Sequence, residues 1–118
     1  MAQLENITRA TVPVSQMRYA RGFWGRLVGL LNRSSIAPDE GLFFEEAASL
    51  HMLGMRFPIA AIWLSAPDSA GVRRVLRSQR LAAWTGLAWP PRGAAAVLEG
   101  HPDLVTALVA GEEVRELA

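Results

Sequence analysis

Six residues in this chain have side chains or backbone freedom suited to chemistry: Arg26, Arg33, Glu40, His51, Gly54 and Arg56. His51 opens the stretch HMLGMRFPIAAIWLS. An imidazole titrates near neutrality, so it could serve as acid, base or ligand. Arg26 and Arg33 are spaced by about two helical turns, and an arginine fork fits a carboxylate or a phosphate. With Glu40 and Arg56 they would form a polar, anion-binding cleft. The competing reading is structural. The arginines would pair with Glu40 or Glu99 and tie a helix to a sheet, and His51 would be a hydrogen-bonded residue at a strand entrance. A partly buried pair of that kind is costly to break from one side. For the arginines the structural reading is the stronger one.

Other chemistries are closed by composition. The chain has 118 residues and no cysteine, which removes disulfides, thiolate metal sites and cysteine nucleophiles. All 12 basic residues are arginine, so lysine Schiff bases and a phosphate-loop lysine are impossible. Only His51 and His101 could give imidazole to a metal, and nothing has ligand spacing, so no metal and no cofactor are expected. No Gly-x-Ser-x-Gly motif marks a nucleophile. Net charge is +1, too balanced to imply nucleic acid or a membrane surface. The opening MAQLENITRATVPV lacks the pattern of a signal peptide. The apolar stretch Ile59 to Ala66 is far shorter than the ~20 residues of a membrane helix. The expectation is a soluble, cytoplasmic, bacterial protein.

The elements that must position these residues follow from periodicity. ITRATVPV, residues 7–14, predicts a strand that Pro13 pushes towards an edge. Phe23, Leu27, Leu30 and Leu31 predict an amphipathic helix over residues 20–31, weakened by three glycines. Leu42-Phe43-Phe44 predicts a short buried strand after a Pro-Asp turn. Residues 59–65 read as a central strand buried on both faces. A turn at Pro67 to Gly71 and a strand over 72–76 make a hairpin with it. Residues 81–93 read as irregular, 94–99 as a strand, 101–110 as a short helix stopped by Gly111, and 114–117 as a last strand.

Side chains outside the cleft are read as follows. Gly54 and Gly41 should supply backbone conformations that other residues resist. Met52 and Met55 should fill core. Arg73, Arg74, Arg77 and Arg80 should be solvated edge protection rather than one nucleic-acid face. Trp84 and Trp89 mark a binding surface if exposed and anchor a loop if buried.

Three stretches together resemble the prokaryotic DUF192 family. RLVGLLNR followed by DEGLFF resembles its Arg-x-x-Gly-Leu signature with Glu-Gly-(Leu/Met). HMLGMRFPIAAIWL is similar to its His-Thr-x-Gly-Met-Arg-x-Pro-Ile-Asp pattern, with Ala60 where the family has aspartate. AAAVLEG resembles its Val-Leu-Glu strand. At the final turn Gly111-Glu112-Glu113-Val114 stands for the family's Gly-Asp-x-Val. The likeness implies a β-sandwich or barrel-like domain with a short helix and brings no function with it.

The expectation is therefore one mainly β domain over residues 1–118, with one or two short helices. Its function is expected to be non-enzymatic binding of a small molecule or a protein, at a cleft near Arg26 and His51. The alternative is an enzyme acting on a small anionic or sugar-like substrate, with His51 as acid-base and an arginine clamp. Neither nucleic acid nor membrane is expected as a partner, and the oligomeric state is open.

Overall fold

Residues 59–64 carry apolar side chains at consecutive positions, and all of them are fully buried. A strand presents alternate residues to opposite faces, so such a run needs a core on each side. In the computed structural model it has both. The structure describes residues 2–21, 30 and 33–118. The predicted helix over 20–31 falls almost wholly outside them.

Nine strands are described: β1 (Ala2–Asn6), β2 (Thr11–Ala20), β3 (Glu40–Phe44), β4 (Leu50–His51), β5 (Ile59–Ser65), β6 (Val72–Leu81), β7 (Leu87–Ala88), β8 (Ala94–Gly100) and β9 (Glu113–Leu117). One short helix, α1, spans Leu104–Ala107. Seven strands close a barrel in the order β1-β2-β3-β8-β5-β6-β9. Only β2 and β3 are parallel; every other neighbouring pair is antiparallel. β4 and β7 form a separate two-stranded ribbon.

Ala60, Ile62 and Leu64 of β5 point into the barrel with Leu4, Met17, Phe43 and Leu98. Leu104 and Leu108 of the α1 segment join the same core. Ile59, Ala61 and Trp63 point outward into a second core with Leu30, Phe44, Met52 and Met55. Leu50 and Ala88, on the inner side of the β4–β7 ribbon, complete that second core. Trp63 buries its indole there and donates Nε1–H to Gln79 Oε1 at 2.8 Å, which removes the cost of an unpaired donor. Met52 and Met55 are thus core residues, as expected.

Several expectations change. Residues 7–14 are not one strand: residues 7–10 turn, with Ala10 at φ 55, and β2 continues to Ala20. Nor is β2 an edge. Pro13 is tolerated because the register against β1 slips there, from Leu4↔Val14 to Asn6↔Thr11, and pairing with β3 begins only at Gln16. The missing N–H falls in a bulge with no second neighbour. β6 runs to Leu81, five residues past the expected end, and closure leaves it no free edge. Residues 81–93 are not wholly irregular, since they contain β7. The helix stops before Gly111, because Leu108 is already extended at φ −137.

Gly54 has φ 86, the left-handed region expected of it. Gly41 is different: a Cβ there would sit 2.9 Å from both Leu98 Cδ1 and Val14 Cγ1. Its role is close packing inside the barrel, not unusual backbone.

Candidate functional site

The barrel has two mouths, and each is closed by a polar cluster. At the α1 mouth, fully buried Asn6 donates its amide to the Ala107 carbonyl and the Glu112 carboxylate. Glu112 also accepts from the Val109 amide and from Arg9. The Val109 N–H, with Arg9 and Asn6 behind it, holds the Glu112 carboxyl below its usual range. The glutamate standing for the family's aspartate is therefore a structural clasp. Ala60, the other departure, lies fully buried on the barrel interior, cross-strand from Gly100 and Arg80. His101 Nδ1 accepts the Asp103 amide in the turn leading to α1.

At the opposite mouth Arg73 is buried, which overturns its assignment to solvated edge protection. Val75 points into the barrel, so Arg73, two residues earlier, does too. Its Nε meets Glu116 at 3.0 Å, Nη1 meets the Ser65 carbonyl at 3.2 Å, and the guanidinium lies 5.2 Å from the Phe43 ring centre. Tyr19 donates its hydroxyl to the other Glu116 oxygen at 2.7 Å and stacks edge-on against Phe43. Partial burial, with the Glu116 bond and charge added, pushes the Tyr19 hydroxyl up to about 12. Beside it lies an open cleft of about 310 Å³, lined among the described residues by Tyr19, Ala20, Arg21 and Glu45.

The expected cleft residues are distributed over separate elements. Arg26 lies outside the described residues. Arg33 and Glu40 meet at the start of β3, where the guanidinium grips the carboxylate with two bonds of 2.5 and 2.8 Å. Arg18 approaches the same carboxylate at 3.4 Å, and the Ala37 amide donates to it as well. The Arg33 bond is the main reason the Glu40 carboxyl falls below its usual range. Arg33 thus has the internal carboxylate that a structural role requires. Glu99, the other carboxylate considered, is fully buried on β8 and is not without a partner.

His51, Gly54 and Arg56 belong to the ribbon and the turn after it. Leu50 pairs with Ala88 and His51 with Leu87. Because Leu50 and Ala88 face the core, His51 and Leu87 face outward. The ribbon continues through the Met52 N–H to Gly86 carbonyl bond and the Trp84 N–H to Met55 carbonyl bond. In the ribbon and the residues beside it four large apolar side chains remain exposed: Leu53 at 71 %, Leu87 at 60 %, Trp89 at 64 % and Trp84 at 54 %. Trp84 does so with φ 65, a backbone region costly for a side chain of its size.

Leu53 and Leu87 were not legible as surface residues. Nothing in their local pattern separates them from Leu50 or Met52, which are buried. Only the two-residue ladder decides which side of the ribbon each takes. Among the described residues no group of three or more His, Asp or Glu side chains is placed to hold a metal, and no helix is long and apolar enough to cross a membrane.

Solved structures share this architecture. A protein of unknown function from Novosphingobium aromaticivorans DSM 12444 superposes with a TM-score of 0.72 at 19% identity, over 97% of this chain and 82% of that one. A protein from Sinorhizobium meliloti 1021, described as a candidate transcription regulator, superposes with a TM-score of 0.73 at 16% identity, over 98% of this chain and 91% of that one. At such identities the likeness concerns the fold alone. No curated protein matches the sequence. The DUF192 family model, described as an uncharacterized ACR, matches residues 5–115, and the chain belongs to that family.

Proposed function

We propose that this chain is a non-enzymatic binding module that docks a protein partner on the outer side of the β4–β7 ribbon. One observation carries the reading: Leu53, Trp84, Leu87 and Trp89 stay exposed in and beside a ribbon whose Leu50 and Ala88 are used for packing. Single exposed apolar residues are ordinary on any surface. A group of four on one small ribbon, two of them tryptophan, has the composition of an interface centre. The ribbon is also held at many points, which keeps the ordering cost of docking low. The enzyme reading finds less support. Arg33, one of the arginines that could act as its clamp, is engaged by Glu40, and His51 is exposed on the two-stranded ribbon.

The test is a selection of displayed random peptides on the purified chain, counter-selected on the Leu87→Ser/Trp89→Ser double variant. Thermal melting first establishes that the double variant folds. Peptides that bind the parent chain and lose the variant support the docking surface. Recovery of no such peptide overturns it. Sedimentation of the chain alone is the companion measurement: a dimer dissolved by the same substitutions would assign the ribbon to a second copy instead.

A further inference from the structure

The charges of this chain are sorted along its length, and the fold brings part of that sorting to the ribbon. Residues 47–98 contain six arginines, Arg56, Arg73, Arg74, Arg77, Arg80 and Arg92, and a single acid, Asp68. The other ten acids lie outside that span with the other six arginines. The near-neutral net charge hides this division. The same span holds β4, the turn after it, β6 and β7, and therefore the whole exposed ribbon.

Arg73 is withdrawn into the barrel by Glu116, but the other five arginines are exposed and, among the described residues, pair with no carboxylate. Arg80, cross-strand from the inward Ala60, lies on the other face of β6, but the ladder turns Arg74 and Arg77 outward. The β5–β6 register slips between Trp63 and Leu64, where Trp63 pairs with Arg77 and Leu64 with Val75, so one extra β6 residue, Leu76, sits in a bulge. Val75 faces the barrel, so Arg74 before it faces out. Arg77, opposite the outward Trp63, faces out as well. Arg77 Nη1 reaches the carbonyl of Trp89 at 3.4 Å, which sets this charge beside the backbone of an exposed tryptophan. Arg92 stands next to Gly93, where an added Cβ would lie 3.9 Å from Leu76 Cδ1 of the same bulge. At the far end of the ribbon Arg56 follows Met55, whose carbonyl accepts the Trp84 amide.

Arginine left without a carboxylate next to exposed tryptophan and leucine is an incomplete arrangement within this chain. An external carboxylate completes it, with the fork available for two bonds. We propose that the partner docked on the ribbon is acidic: a protein segment whose apolar side chains cover Leu87 and Trp89 while its Asp and Glu side chains meet Arg77, Arg92 and Arg56. This rests on the docking reading above. The aliphatic residues favour a protein over a single-stranded nucleic acid, which stacks its bases on aromatic rings and has nothing to place against Leu53 and Leu87.

The experiment uses the peptides recovered above, synthesised and titrated against the parent chain and an Arg77→Glu/Arg92→Glu variant. A (dT)20 oligonucleotide serves as the second probe. The expected result is an excess of Asp and Glu flanking Leu, Phe or Trp. The charge reversal should weaken binding by about tenfold or more, with a comparable loss on raising salt. Peptides that depend on Leu87 and Trp89 but show no acidic excess and no loss on charge reversal would overturn the acidic partner and leave the docking surface standing. Failure to recover ribbon-dependent peptides overturns both. Tighter binding of the oligonucleotide than of any peptide, lost in both variants, would assign the surface to nucleic acid and overturn the proposal.

Discussion

Arg33 and Glu40 are joined fork to fork, Nη1 to Oε2 at 2.5 Å and Nη2 to Oε1 at 2.8 Å, and the bond ties the segment before β3 to the first residue of that strand. A two-bond pair with a mostly buried carboxylate is more than a surface ion pair. Glu40→Gln should lower unfolding stability by about 1–2 kcal/mol at pH 7, somewhat less than is usual for hydrogen bonds to charged groups because the Arg33 side chain is about a third exposed. The sign of its pH dependence is set by Arg33. A carboxyl whose folded value is depressed stabilises above its unfolded value and loses that contribution as pH falls through the folded one. Urea unfolding of parent and variant should therefore differ at neutral pH and converge under acid. A gap that persists at low pH would show that Glu40 acts through shape and not charge.

Tyr19 is the only tyrosine, so its ionisation can be followed by ultraviolet titration without assignment. Its hydroxyl is raised from 10.0 to about 12 by partial burial and by Glu116. The neutral form is thus favoured on folding. This contribution is complete below 10 and fades as pH rises towards 12. Glu116→Gln should bring the titration down towards the ordinary value. The same change strips Arg73 of its carboxylate inside the barrel mouth, and stability should fall by about 2–4 kcal/mol. An unmoved Tyr19 titration would mean that this cluster does not persist in solution.

Trp84 holds a left-handed backbone and gains little burial in return. Asparagine tolerates that conformation far better than a bulky side chain. Trp84→Asn should therefore leave the melting temperature unchanged or raise it, by up to about 1 kcal/mol of stability. Under the docking reading the same variant should lose peptide affinity. Stability gained where binding is lost is the pattern expected of a residue retained for contact. A marked destabilisation would instead make Trp84 a loop anchor.

Gly86 carries the ribbon's tightest passage. A Cβ there would sit 2.8 Å from the Ala82 carbonyl oxygen and 2.8 Å from Met52 Cγ. The carbonyl is backbone and cannot turn aside. Gly86→Ala should cost about 1–3 kcal/mol, the usual penalty of forced overpacking. Hydrogen exchange should locate the loosening at the Met52 and Trp84 amides, which bond across the ribbon. Uniform loss of protection would show that the ribbon unfolds only with the barrel.

Much of this molecule could be read in advance. The central strand was legible at both ends, because a run of apolar residues bounded by Pro58 and the Pro67–Gly71 turn leaves a strand few alternatives. Gly54 and the two buried methionines were legible for similarly local reasons. The DUF192 likeness was legible because its motifs are contiguous. What escaped was whatever depended on a partner far away in sequence. The split of residues 7–14 turns on Ala10, a residue with no turn preference of its own. Arg73 and Arg74 are chemically identical neighbours, yet one plugs the barrel against Glu116 and the other faces out.

The amino-acid order by itself determined a cysteine-free, lysine-free β domain of this family with a doubly buried central strand. Each of those features is written in composition or in short-range periodicity. The tertiary structure alone decided that the sheet closes into a barrel, that Arg33 is engaged by Glu40, and that the ribbon turns Leu87 and Trp89 to solvent. Those outcomes depend on strand register, and register is settled by pairings between distant segments. A slip of one residue, such as the one at Leu76, moves a side chain from one face to the other.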